Sequence, residues 1–435
     1  IGGATGQPGQ LYLQTATGFK ASPQAAFAAD STYEDTAALF FDADGDGDPD
    51  LFVGSGGNHL VVGDRFLQDR IYLNDGKGNF TLNPYALSAN GFNTAVAVPF
   101  DLEGDGDLDL FVGSRSVPGG YAVPPRQFLF ENDGKGNFRD VAKTAASDLK
   151  TIGMITDAIL TDMTGDGKPE LVIAGEWMAP QLFSIQGGKL KKIPSKLDAN
   201  PGWWCALAAD DVDGDGDRDL ILGNRGTNFY FQGTPESPAK IWVWDFDGNG
   251  AVEKIMTRTV DGKDMPISMK KELTGQLVSL KKKNLMHADY AKRSIQELID
   301  PAILDKAMMR RATYFQSAVA LNDGKGNFTL MPLPAEVQFS CVNAIRCTDL
   351  DGDGKNDLLL AGNDRSFMPQ FSKLDASFGH TLLNRGGGKF ERVPNRASGF
   401  FVRGDVKQIL EVRKGGERWF VALVNDGAPV LFRGK

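Results

Sequence analysis

Apolar residues along the chain fall mostly in short runs, and each run is cut off by Gly and acidic residues. One order recurs: an apolar run, then Asp-x-Asp-Gly-Asp-Gly-x-x-Asp, then a second apolar run. The first copy is Asp42-Ala43-Asp44-Gly45-Asp46-Gly47-Asp48-Pro49-Asp50, followed by Leu51-Phe52-Val53. Such runs are too short for a helix, and the Asp/Gly stretch cannot continue a strand, so the pattern predicts strand, tight loop, strand. A second punctuation mark follows at a distance: Asn74-Asp75-Gly76-Lys77-Gly78-Asn79-Phe80, repeated at Asn132–Phe138 and Asn322–Phe328. Degenerate copies lie at Asn384–Phe390 and Thr15–Phe19. Asn-Asp-Gly between β-type segments is a hairpin signal. Each unit therefore reads as four antiparallel strands.

Six copies of the acidic loop begin at residues 42, 101, 162, 211, 245 and 349, and a degenerate seventh begins at Asp405 without a ligand set. Four-stranded units repeated at this spacing predict an all-β fold, a β-propeller, in which the blades also protect one another's edges. Seven blades fit best, with six or eight as alternatives. Residues 1–435 then form a single propeller, the last blade closed by strands from both ends of the chain. Acidic loops join strands one and two and Asn-Asp-Gly turns join strands three and four, so both lie on one face. The longer two-to-three loops lie on the other.

Residues 254–315 break the pattern. Leu273, Leu277 and Leu280, then Ile295, Leu298 and Ile299, recur at helical spacing, and Pro301 opens a further short helix. This segment is expected to be a mainly helical insertion over the irregular face. It holds 13 Lys/Arg against 7 Asp/Glu, including Lys281-Lys282-Lys283.

The chain as a whole carries a formal charge of −9, which argues against a nucleic-acid binder. That acidity is concentrated: the six loops hold 25 of the 56 Asp and Glu residues. Carboxylates at positions 1, 3, 5 and 9 of a short loop converge only around a hard cation, and Gly at positions 4 and 6 permits the left-handed backbone of a tight wrap. Flexible all-oxygen sites suit Ca²⁺ better than Mg²⁺. An EF-hand is excluded, because position 12 is Val53, Val112, Ile173, Leu222, Met256 or Leu360 rather than Glu. The candidate ligands are Asp42, Asp44, Asp46, Asp48 and Asp50; Asp101, Glu103, Asp105, Asp107 and Asp109; Asp162, Thr164, Asp166 and Glu170; Asp211, Asp213, Asp215, Asp217 and Asp219; Asp245, Asp247, Asn249 and Glu253; and Asp349, Asp351, Asp353 and Asp357. Five or six Ca²⁺ ions are expected.

No nucleophile elbow, zinc-protease helix, Cys-x-x-Cys pair or phosphate loop is present. Cys205, Cys341 and Cys347 read as buried small hydrophobes, and His59, His287 and His380 as surface residues. On the irregular face, Arg115, Tyr121, Trp177, Arg225, Asn228, Arg365 and Phe367 are candidates for holding a protein or glycan ligand. Loop packing and rim ion pairs explain the same residues.

The acidic loops resemble the FG-GAP/VCBS repeats of integrin α-chain propellers and bacterial surface proteins. Gly175-Glu176-Trp177-Met178, Asp245-Phe246-Asp247-Gly248-Asn249-Gly250, Gln338-Phe339-Ser340 and Gly404-Asp405-Val406 resemble more closely the C-terminal part of Bacteroidetes VCBS-repeat proteins of the ASPIC/UnbV (cartilage acidic protein-like) type. The resemblance implies a calcium-loaded propeller outside the cytoplasm, in the periplasm, at the outer-membrane surface or secreted, and part of a longer protein. A non-enzymatic binding or scaffold module fits best. A polysaccharide lyase or hydrolase and an accessory subunit of an outer-membrane complex are the alternatives. No stretch is apolar enough to span a membrane, so membrane association is expected only through a partner or a preceding segment.

Overall fold

A computed structural model describes residues 1–434 apart from 16, 17, 231, 368, 372 and 415. Ala16 and Thr17 of the degenerate first turn therefore lie outside the described residues. The rest resolves into consecutive antiparallel sheets, each built in chain order from the inner strand outward. The first sheet is Glu34–Phe41, Asp50–Gly56, Arg70–Asn74 and Phe80–Asn83; the second is Asn93–Phe100, Asp109–Ser116, Phe128–Asn132 and Phe138–Asp140. The third is Met154–Thr161, Glu170–Met178, Gln181–Ile185 and Leu190–Ile193, with Gly202–Trp203 added at the end of its second strand. The fourth is Ala206–Asp210, Asp219–Gly223, Ala318–Asn322 and Phe328–Pro332, and the fifth Ala344–Thr348, Asp357–Ala361, His380–Asn384 and Phe390–Val393. Val406–Lys414, Glu417–Val424 and Val430–Arg433 form a sixth, three-stranded sheet.

Face-to-face packing of neighbouring sheets makes this a β-propeller. The second strand of each sheet is covered on both sides, so it reads as a continuous apolar run rather than an alternating one. In the fourth sheet Leu220 and Leu222 pack toward the third, with Val172, Ala174 and Leu182. Ile221, between them, packs toward the fifth with Leu358, Leu360 and Leu382. Phe52 and Ile71 meet Val112 and Phe128 between sheets one and two, and Phe111 and Leu129 meet Ile173 and Phe183 between two and three. Leu359 and Ala361 meet Ile409 and Phe420 between five and six.

Two expectations about the chain's course change. The Asp245 loop does not belong to a blade in sequence with the others. It lies in a separate sheet, Ala239–Trp244, Glu253–Val260, Lys263–Pro266 and Met308–Ala312, placed between the second and third strands of the fourth sheet. This one fact explains both the short interval before Asp245 and the long one after it. The insertion is accordingly wider than 254–315, and it mixes strands with short helices between Lys270 and Leu304. Alternation sorts its two faces: Ala239, Ile241 and Val243 pack against Trp177 and Trp203 of the propeller, while Trp242 lies under the helices with Leu273, Leu277 and Ile295.

The chain ends also differ from the expected shared ladder. Leu11–Thr15 pairs with Gly18–Ser22 as a hairpin of its own. A local hairpin closes a very short loop, whereas a ladder between the termini closes the whole chain, so the local pairing costs far less entropy. The hairpin lies between the sixth and first sheets: Gln14 Nε2 donates to Arg413 O at 2.6 Å, and Leu11 packs on Leu51 and Tyr72.

Candidate metal centres

Every acidic loop is built the same way. The first Asp caps the loop's own amides: Asp42 accepts from Gly45 N at 2.8 Å and Gly47 N at 3.0 Å, and Asp101, Asp162, Asp211, Asp245 and Asp349 each repeat the pair. Gly is required at those two positions because their φ is positive, +77° at Gly45 and +89° at Gly47. The ninth residue opens the next strand and is buried. Asp50 accepts from Ala43 N and Asn74 N, both at 2.8 Å.

In four loops the carboxylate oxygens converge to within 4.8 Å of one another: Asp42/Asp44/Asp50, Asp211/Asp213/Asp219, Asp245/Asp247/Glu253 and Asp349/Asp351/Asp353. Asp44 Oδ1 is buried there and has no hydrogen-bond partner. Burial, and then the neighbouring acids, push Asp44 and Asp213 above the usual carboxylate range, and burial brings Asp219 up to about 6. An oxygen removed from water and left unpaired among like charges fits a hard divalent cation, which supplies the missing partner and reverses the repulsion. The residues present therefore fit Ca²⁺. Such an ion would tie the loop to the buried start of the second strand.

The other two loops differ locally. Thr164 Oγ1 donates to Glu170 at 3.2 Å in the third loop. In the second, burial first and then Asp109 raise Glu103 to about 7. The seventh-position acids turn elsewhere. Asp107 lies against Gly134 of its own Asn-Asp-Gly turn, where a Cβ would sit 2.6 Å from Oδ2, and Asp48 and Asp217 lie likewise against Gly76 and Gly324.

Three of the turn asparagines, Asn132, Asn322 and Asn384, have a role that turn chemistry did not reveal. Asn132 N donates to Asp109 of its own loop, and Asn132 Nδ2 donates to Leu108 O at 3.1 Å and, across the blade boundary, to Ala43 O at 2.8 Å. Asn322 reaches Met163 O in the same way, and Asn384 reaches Val212 O. Each therefore staples its own acidic loop to the loop of the preceding blade. The signal in the sequence was the recurrence of Asn itself, read there only as a turn former.

On the opposite face, Arg115, Tyr121, Trp177, Arg225 and Phe367 come together around a residue not singled out as a site, Glu176. Its carboxylate is 1% exposed and accepts from Arg115 Nη2 at 2.8 Å, Arg225 Nη2 at 3.2 Å and Tyr121 Oη at 2.7 Å. Burial alone would raise Glu176, but the two guanidinium groups overcome it and bring it to about 2. Trp177 Nε1 donates to Tyr121 Oη, Arg225 also pairs with Asp364, and the Arg225 guanidinium lies over Trp203 and Phe367. The hint was an acid inside the apolar run Leu171–Met178. Asn228 and Arg365 are exposed and stand outside this cluster. His380, expected at the surface, is 4% exposed at the start of a strand, and burial lowers it to about 4. It lies buried because it opens the fifth sheet's third strand, where it pairs with Leu360, and does not stand in a loop.

Residues 54–112 and 162–222 match the FG-GAP-like repeat. The chain is a β-propeller that carries FG-GAP-like repeats in these two stretches. The two matches each run from a second strand or an acidic loop to the corresponding point one blade on or to the next second strand, in keeping with the blade as repeat unit. No curated protein sequence matches significantly. Among solved structures, the chain overlaps the V. cholerae biofilm matrix protein Bap1 at 11% identity and TM-score 0.31, over 93% of this chain and 87% of that one. It overlaps the Dos1 propeller at 9% identity and TM-score 0.39, over 98% and 82%. It also overlaps the exotype rhamnogalacturonan lyase YesX at 15% identity and TM-score 0.32, over 97% and 74%. No helix among the described residues is long and apolar enough to cross a membrane.

Proposed function

We propose that this chain is a calcium-stabilised binding or scaffold propeller that works outside the cytoplasm, with structural metal sites on one face and a protein or glycan partner on the other. The observation that carries the reading is the convergence of carboxylate oxygens in four loops, with Asp44 Oδ1 buried and unpaired. In three of the four sets, those that include Asp50, Asp219 or Glu253, an ion would join the loop to the second strand of its sheet, so metal adds to the stability of the fold rather than to chemistry. Exposed loops of this kind suit surroundings where calcium is abundant, as in extracellular modules. The finer likeness to VCBS-repeat proteins of the ASPIC/UnbV type agrees with such a setting.

Chelation tests it. Saturation of one site at a hundred times its Kd adds about 2.7 kcal/mol to the native state. Treatment with EDTA should therefore lower the Tm, and added CaCl₂ should restore it where MgCl₂ does not. A melting curve unmoved by chelation would sink the proposal.

A further inference from the structure

The helical layer of the insertion ends in a surface that neither the propeller nor the acidic loops explain. Leu285 and Met286, adjacent in sequence, are 78% and 64% exposed, and Val278 and Met269 are 59% and 52% exposed. These are large aliphatic side chains left in water while Leu273, Leu277 and Leu280 of the same segment are buried. The tip is held in this shape. Asn284 is 1% exposed, donates to Leu280 O at 3.0 Å and accepts from Arg293 Nη1 at 3.0 Å. Lys270 Nζ donates to Leu285 O at 2.6 Å, which brings the Met269 and Leu285 segments together.

The surrounding charge is one-sided. Between Met269 and Arg293 there are seven basic residues, Lys270, Lys271, Lys281, Lys282, Lys283, Lys292 and Arg293, against two acids. One of the acids, Glu272, accepts from Met269 N and from Gln370 Nε2 of the propeller's fifth-sheet loop, at the end of the segment away in sequence from Leu285 and Met286. The helices pack on the side of the inserted sheet turned away from the propeller, so the tip faces outward. Aliphatic side chains at a supported tip, ringed by lysines, match a surface that is apolar beneath and anionic above. An acidic protein would satisfy the charge and leave Leu285 and Met286 unexplained unless it also offered an apolar pocket.

We propose that the Met269–Arg293 tip docks on the surface of an anionic lipid bilayer, with Leu285 and Met286 entering the interface and the lysines facing the headgroups. The association is peripheral, and it differs from the expectation that membrane contact needs a partner or another segment. It does not depend on the acidic loops.

The test is co-sedimentation of the full chain with vesicles of phosphatidylcholine, with and without phosphatidylglycerol, in the presence of chelator. Chelator removes calcium bridging between lipid phosphates and the acidic loops. Binding should require phosphatidylglycerol and weaken as salt rises. The double substitution Leu285→Ser/Met286→Ser should weaken it by roughly tenfold or more, and Lys281→Glu/Lys282→Glu comparably. All four positions are exposed, so melting in the same buffer should be unchanged and serves as the folding control. The proposal is overturned if wild type does not sediment with phosphatidylglycerol vesicles, if it binds only when calcium is present, or if Leu285→Ser/Met286→Ser binds as well as wild type. Tip-dependent binding to polyglutamate without binding to vesicles would overturn it in favour of an acidic polypeptide.

Discussion

Asn132 and Asn74 occupy the same place in successive blades and differ in two ways: Asn132 alone makes a bond across to the preceding blade, and Asn74 Oδ1 alone accepts, from Gly78 N at 3.0 Å. Asn74 Nδ2 donates to Pro49 O within its own sheet at 3.1 Å. Asn132 Nδ2 makes the corresponding bond to Leu108 O and adds the bond to Ala43 O, a residue with no exposed surface. Ala at either position removes the within-sheet bond, and only Asn132→Ala also leaves the Ala43 carbonyl enclosed without its donor. A buried polar group stripped of its partner costs about 2 kcal/mol, and the Gly78 amide bond that only Asn74→Ala removes offsets about 1 kcal/mol of it, so Asn132→Ala should be the more destabilising by about 1 kcal/mol. The unfolding entropy of a chain this long is roughly 0.9 kcal/mol/K, which turns that difference into about 1 °C of Tm. Differential scanning calorimetry of both variants in chelator, with urea midpoints alongside, reads it without any contribution from metal. Equal Tm losses, or a larger loss for Asn74→Ala, would refute the claim that this side chain ties adjacent blades together.

Further outcomes follow from the same geometry. Gly134 has φ +68° and no room for a Cβ beside Asp107, so Gly134→Ala should cost about 2 kcal/mol or more by urea denaturation, and Gly134→Ala/Asp107→Ala should recover part of it. Glu176, held at about 2 in the fold against about 4.3 unfolded, contributes about 3 kcal/mol that is fully present above pH ~4.5 and fades as pH falls toward 2. Glu176→Gln should therefore lower stability at neutral pH and flatten the acid limb of the stability–pH curve; an unchanged acid limb would contradict the ion-pair account. Asp219→Ala should remove one calcium equivalent in a titration and leave Val212 N and Asn322 N without their acceptor, so stability falls even in chelator.

Much of this molecule is legible one loop at a time. The Asp-x-Asp-Gly-Asp-Gly-x-x-Asp pattern determines its own structure, because the first Asp caps the loop's own amides and Gly supplies the two positive φ angles. The short apolar runs on either side determine strands, and their continuity rather than alternation already implies burial on both faces. Those interactions are local, so composition and spacing are enough to find them.

The tertiary structure decided what depends on residues far apart in sequence. That Asn132 stitches two loops, that Asp107 turns from the acidic pocket toward Gly134, and that Glu176 gathers Arg115 and Arg225 follow from distances set by the ring, not by the repeat. The same holds for the Asp245 loop. Its motif is as complete as several others, but where a sheet sits depends on which strands its edges and faces meet. Only the pairing of Leu220–Leu222 with Ala318–Ala320 places it in an insertion rather than in the ring.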